Sequence, residues 1–477
     1  MKSIYHILNK EDLKSVNPSA VFKRQRKNSV SRIRLFWNTQ TDMFLPKGVM
    51  NTIQVVLLLV ATSLYAQQTP GLPQAEPVTI QGATIHVGNG EVIQNGTLVF
   101  ENGKITAVGS SVSPKGKIID ASGQHLYPGF IIPYNSLGLV EIDAVRATDD
   151  LAEVGDITPN VRSIIAYNAE SKVVESMRSN GVLLGQIVPR GGRISGTSSV
   201  VQFDAWNWED AIVKEDDAVH LSWPNSFRRG RWWMGEDPAY KPNKDYASDV
   251  ETVATFLTNA KAYLKTTPQE KNLTFEAVKG LFDGSQKLYI NADGEKEIID
   301  AVTFAKQMGI QHVVIVGGYQ AYKITAFLKQ HNIPVLVGKT HATPDYDDDD
   351  YDLPYKLPKL LADAGILVAI QNSGRFERFQ ARNLGFYAGQ VVQQGMSKED
   401  ALKLITSNPA KILGIDKDYG TLEVGKSATL FLSEGDALDV RTNKATYVFI
   451  DGRTVSLDTH QTELYERYMT KYESEGK

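Results

Sequence analysis

Two kinds of hydrophobic spacing alternate along this chain. From residue 77 to 126, short runs of β-forming residues (Val78-Thr79-Ile80, Thr97-Leu98-Val99-Phe100, Lys104-Ile105-Thr106-Ala107-Val108) are separated by Gly88-Asn89-Gly90, Asn95-Gly96 and Asn102-Gly103. Asn-Gly supplies the positive φ values that tight hairpin turns require, so the stretch predicts a small antiparallel sheet turning at those places. The same signal returns between Gly420 and Leu457, with runs at Ala428–Leu432 and Ala445–Ile450 and then the turn pair Asp451-Gly452. A small sheet at each end of a chain leaves edges and one face uncovered, and pairing the two pieces covers them. The pattern therefore predicts one composite β-sandwich domain from residues 67–127 and 420–460.

Between these pieces the period changes. Continuous apolar runs at Phe130–Ile132, Val182–Val188, Lys287–Ile290, Val313–Val316, Val335–Val337 and Ile366–Ile370 read as strands buried on both faces. Amphipathic helical stretches at Lys296–Met308, Ala321–His331 and Leu357–Ala364 separate several of them. Strand and helix in alternation mark a parallel sheet with helices outside, and residues 128–419 suit a (β/α)₈ barrel with its site at the carboxyl ends of the strands. A doubly wound open sheet is the competing architecture, but no Gly-x-Gly-x-x-Gly follows a strand to support it. Residues 203–244 break the pattern: Trp206, Trp208, Trp223, Trp232 and Trp233 crowd there with Arg228, Arg229 and Arg231. Such a cluster reads as a long insertion packed on the barrel, or as a contact surface for a partner.

Composition narrows the chemistry. The 477 residues contain no cysteine, so a disulfide framework, a thiolate metal site and a thiol nucleophile are all excluded. The eight histidines form no His-x-His or His-x-x-x-His pair. Charge is uneven: residues 1–66 carry ten Lys or Arg against three acidic residues, so the rest carries 41 basic against 52 acidic side chains. An acidic body argues against nucleic acid as a partner. Residues 1–42 read as a basic, aperiodic extension or a gene-model artefact. Residues 43–66 read as a signal peptide, with Lys47, the apolar run Val55–Ala61 and cleavage after Ala66, and with Met43 or Met50 as the start. The run is too short to span a membrane, which needs about 20 apolar residues. Periplasmic or secreted localisation is the expectation.

The run Tyr127-Pro128-Gly129-Phe130-Ile131-Ile132-Pro133-Tyr134-Asn135-Ser136 resembles the first barrel strand of the amidohydrolase superfamily, imidazolonepropionase-like branch. So do Gly395–Leu402, Thr406–Gly414 and Gly420–Ala428, which are similar to that family's closing helices and its return to the small domain. The resemblance covers nearly all of residues 77–456. It implies a hydrolase acting on carbon–nitrogen bonds with zinc or another divalent metal held by histidines and an aspartate at the strand ends. The positions that match those ligands are Tyr134 and Ser136 on the first strand, Asn291 (in Ile290-Asn291-Ala292-Asp293), Gly317 after Val316, and Ser373 in Gln371-Asn372-Ser373-Gly374. Phenol and hydroxyl groups are poor ligands near neutral pH, so no metal and no cofactor is expected at these replaced positions.

What remains at the mouth can bind a small polar ligand: Tyr134, Asn135, Ser136, Asn291, Asp293 and Ser373, with His341 just past a strand end. His341 facing Ser136 or Ser373 would make a nucleophile–base pair, whereas a histidine satisfied by its own loop would not. The acidic run Asp345–Asp352 has carboxylates suited to calcium but no glycine for a sharp loop, and reads as a solvated segment. The loop Pro189–Ser198 can present N–H groups to an anion or serve as a glycine-rich connection. Three functions stay open. One is a metal-free, catalytically impaired subunit that partners itself or a metal-bearing relative; the others are an active amidohydrolase on cyclic amides or small peptides with an atypical site, and a periplasmic solute-binding module.

Overall fold

The computed structural model describes residues 69–266, 270–373 and 377–474. The basic extension and the signal peptide read from residues 1–66 lie outside the described residues. In chain order the strands are β1 (Val78–His86), β2 (Val92–Glu101), β3 (Lys104–Gly109), β4 (Lys117–Asp120), β5 (His125–Pro128), β6 (Phe130–Asn135), β7 (Val182–Ile187), β8 (Ile194–Gln202), β9 (Ile212–Ser222), β10 (Phe227–Arg229), β11 (Tyr240–Pro242), β12 (Lys287–Ala292), β13 (Val313–Gly317), β14 (Val335–Val337), β15 (Val368–Ile370), β16 (Leu430–Ser433), β17 (Ala445–Ile450) and β18 (Arg453–Val455).

The two ends of the chain do share a sheet, of order β18-β17-β16-β5-β1-β2-β3 with β4 on the first half of β1. Antiparallel β16 and β5 join them, Leu430 opposite Pro128 and Ser433 opposite His125. In this order β2 and β17 are four steps apart, about 19 Å if the sheet were flat. Their Phe100 and Phe449 rings nevertheless lie 5.0 Å apart. The sheet has therefore curled over its own core of Ile80, Ile85, Leu98, Leu430 and Leu432. Gly82 marks the bend: its φ is +85°, and β1 pairs with β4 before it and β5 after it. The turns at Asn102-Gly103 and Asp451-Gly452 form as expected, with positive φ at all four residues. Asn95-Gly96 does not turn the chain. β2 runs through it, and Asn95, at φ +50°, accompanies a register shift against β1.

The central region is a barrel-like sheet of order β15-β14-β13-β12-β9-β8-β7-β6. Seven strands run parallel, while β8 is antiparallel to both its neighbours, β7 and β9. Short connections on either side of β8 dictate this, because a parallel return needs a crossover of a dozen residues or more. Between β15 and β6, the Ile370 and Ile131 N–H groups donate to the Leu404 and Ile405 carbonyls at 3.1 and 2.8 Å, which nearly closes the ring.

Two sequence expectations change here. Residues 203–244 are not one insertion, since Ile212–Ser222 is barrel strand β9 and only the β10–β11 hairpin stands apart. The charged first half of β9 conceals a buried strand because its charges are paired: Arg162 with Asp216 at 2.7 Å, and Lys214 and Lys287 with Asp217 at 2.5 and 2.9 Å. The glycine-rich Pro189–Ser198 segment is likewise mostly strand, β8 beginning at Ile194. Trp223 is buried, while Trp206 and Trp233 remain 61% and 67% exposed.

Candidate functional site

Most of the residues nominated from sequence lie at the carboxyl ends of the parallel strands, but of them only Asn291, Asp293, Gly317 and Ser373 line the cavity there. Tyr134, near the end of β6, is buried and adopts φ +50°, a backbone region that costs a non-glycine residue energy and marks an over-determined position. Its N–H donates to Gln186 Oε1 on β7 at 3.1 Å, and Asn291 Nδ2 on β12 donates to its hydroxyl oxygen. Burial raises the phenol's pKa, with the Arg190 charge and the Asn291 hydrogen bond opposing the shift. Asn135 uses Oδ1 to accept from Leu137 N–H at 2.8 Å and Nδ2 to donate to the Asn372 carbonyl at 2.7 Å, tying β6 to the chain beyond β15. Ser136 is buried at the same turn.

Asn291, Asp293, Gly317 and Ser373 line one cavity of about 270 Å³, with Tyr319 and Gln371 beside them. Asp293 stands at the mouth and is open to solvent. Loss of solvent raises its pKa, the Tyr319 N–H pulls it down, and the Asp345 and Glu297 charges push it further up. Gly317 is required where it stands. Its φ is +90°, and a Cβ there would lie 2.2 Å from Asp293 Oδ1. Asp293 and Asp345 also border a wider side cavity of about 960 Å³, walled by Phe227, Tyr240 and Tyr346.

His341 does not join this group. Its ring sits edge-on to Tyr387 at 5.1 Å, and its pKa is lowered first by desolvation. The acidic run is tied up locally: Asp349 accepts from the Tyr319 hydroxyl at 2.6 Å and Lys356 pairs with Asp350 and Asp352.

The histidine inside the barrel is one the sequence reading passed over. His220, two residues from the end of β9, places Nε2 2.7 Å from Ser198 Oγ on β8, while Gln186 Nε2 donates to the same oxygen at 3.0 Å. Tyr134 packs edge-on against its ring at 5.3 Å. Complete burial lowers its pKa to about 3, so the imidazole is neutral. Ser198 and His220 have the atoms of a nucleophile–base pair, but both are sealed from solvent and build a polar layer under the mouth. The alternation of Ala218-Val219-His220-Leu221 was the available signal, obscured by the charges before it.

The sequence of residues 365–455 matches the Amidohydrolase family. An amidohydrolase structure from Thermotoga maritima MSB8 is similar at 25% identity and TM-score 0.70, covering 80% of this chain and 99% of its own. The chain belongs to the amidohydrolase superfamily. Two further solved structures share the fold: a Xaa-Pro dipeptidase at 12% identity and TM-score 0.51, covering 80% of this chain and 100% of its own, and molinate hydrolase at 16% and 0.50, covering 81% and 96%. No curated protein sequence matches the chain.

The donor set of this amidohydrolase mouth does not fit the superfamily's metal. The Tyr134 phenol is engaged by Asn291 and shifted toward its neutral form, Gly317 has no side chain, and Ser373 offers a hydroxyl. The Asp293 carboxyl is likewise shifted toward neutrality. Among the described residues, no three His, Asp or Glu side chains are arranged to hold an ion. A catalytic zinc needs about three such ligands.

Proposed function

We propose that this amidohydrolase-superfamily protein is exported, binds a small polar ligand in its barrel mouth, and acts with a partner rather than through metal-dependent hydrolysis. The observation that carries the reading is the donor set at the strand ends. Asn291, Asp293, Gln371 and Ser373 present amide, carboxyl and hydroxyl groups to one cavity, which suits hydrogen bonding and not a tightly held cation. The order of charge, short apolar run and small residue through Ala66 supports export.

The partner part rests on the β10–β11 hairpin. Phe227, Trp233, Met234 and Tyr240 are 53%, 67%, 60% and 47% exposed, and Phe227 and Tyr240 also wall the side cavity that shares Asp293 with the mouth. Large aromatics exposed together are uncommon on a surface that meets only water, and central aromatic anchors dominate binding energy. Wild-type protein is expected to form a homo-oligomer or to associate with a metal-bearing relative. Trp233→Ala should weaken that association by about 2 kcal/mol or more, over tenfold in affinity. Light scattering of both proteins, alone and with the relative, checks this. Identical masses throughout would remove the partner and leave a solute-binding module.

A further inference from the structure

At the opposite end of the barrel from the mouth, a second cavity of about 490 Å³ opens between the amino-terminal ends of β12, β13, β14 and β15. Its charged lining is entirely basic: Lys287, Lys306, Lys329 and Lys411, with His312 and His331. Among the described residues, no Asp or Glu lines it. The mouth differs in being mixed: Asp293 and Asp345 face Lys339 across its cavity, and beside it Glu295, Glu297 and Asp300 outnumber Arg229 and Lys296.

The four ammonium groups are unequally satisfied. Lys287 reaches both oxygens of Asp217, at 2.9 and 3.1 Å, and the Leu413 carbonyl at 3.0 Å. Lys306 donates to the Gln311 carbonyl at 2.8 Å, and loss of solvent lowers its pKa. The ammonium groups of Lys329 and Lys411, both solvent-exposed residues, make no hydrogen bond or ion pair with any described residue. Like charges placed around one concavity repel one another, and a concave surface focuses their field on whatever enters. This happens in a chain whose residues beyond 66 are net acidic, so the cavity attracts anions against the charge of the whole body.

We infer that this floor cavity is a binding site for a small anion carrying two or more negative charges, of phosphate or polycarboxylate type, gripped by Lys329 and Lys411 with Lys287 and Lys306 behind them. Its volume lies in the range of small-molecule sites. The site is separate from the barrel mouth and does not depend on what the mouth does.

Isothermal titration of the full chain with pyrophosphate and with citrate, at ionic strength matched with chloride, tests it. Saturable one-to-one binding of one of them is expected. The tighter of the two assigns the site to phosphate or carboxylate chemistry. The double variant Lys329→Gln, Lys411→Gln should weaken binding at least about tenfold, while the Lys329→Arg variant retains it. Without anion, the double variant should melt no lower than wild type, because it removes repulsion rather than contacts. Heats no larger than the chloride control for both anions at millimolar concentration, or binding unchanged in the double variant, would overturn the inference.

Discussion

Replacing Asp204 by alanine is expected to cost about 3–5 kcal/mol of folding stability, the usual cost of stranding a buried charge. The Asp204 carboxylate is buried and sits where three parts of the chain meet. Arg178 Nη1, at the end of the helix Lys172–Arg178, donates to Oδ1 at 3.0 Å. Arg453 of β18 donates to Oδ2 at 3.0 Å, and the Gly71 N–H ahead of β1 donates to Oδ2 at 2.9 Å. Arg178 is itself buried, and its Nη2 already lacks a partner among the described residues. Alanine would leave one guanidinium stranded in the interior and a second half-stranded, and would loosen the terminal sheet from the barrel. Asp204→Asn, which keeps an acceptor but not the charge, should fall between. Urea denaturation of the three proteins measures the difference. A loss below about 1 kcal/mol for the alanine variant would mean that water compensates the two arginines and the triad does not bind the domains together.

The second large effect is an acid sensitivity centred on His220. Its pKa is about 3 in the folded protein, against 6.5 when exposed. As pH falls through 6.5 the unfolded chain takes up a proton that the folded chain refuses, so stability is lost progressively from about pH 6.5 down to about pH 3. The slope is about 1.4 kcal/mol per pH unit, or roughly 2.5 kcal/mol between pH 6.5 and 4.5. His125, whose pKa is lowered first by desolvation and then by His86, acts in the same direction. His220→Gln keeps a partner for Ser198 without titrating near these values. Its stability should therefore decline less steeply over that interval, by about one proton's worth of slope. Parallel wild-type and variant curves would show that His220 accepts a proton in place, and that the polar layer beneath the mouth is open to water.

These two sites also show where sequence stops. Val313–Val316 and Val335–Val337 announce themselves because a strand covered on both faces must be apolar throughout. β9 is equally buried in its second half but carries Lys214, Glu215, Asp216 and Asp217 in its first, whose partners Arg162 and Lys287 are distant in sequence, so its charges read as surface. β8 is hidden differently. Its Ser-Gly-Thr-Ser-Ser run looks like a loop, although Ser198 faces Gln186 and His220 in the interior. At the mouth, position along a strand is legible: Asn291, Asp293, Gly317 and Ser373 do line one cavity. Their mutual dependence is not. Only the folded arrangement brings Asp293 against Gly317, where a side chain would collide with it, and holds Tyr134 at positive φ between Gln186 and Asn291. His341 is close in sequence to the end of β14, but its loop turns it against Tyr387.

The same dependence bears on whether the superfamily's metal chemistry persists here, since a histidine at position 317 would need both a left-handed backbone and the space that Asp293 fills. Elemental analysis of purified full-length protein addresses the question directly. Well under one equivalent of zinc, manganese or iron per chain is expected, with a melting temperature that chelators leave unchanged, because a metal bound only to the folded state would have to stabilise it. One equivalent of metal, together with amide hydrolysis that a chelator abolishes, would contradict it.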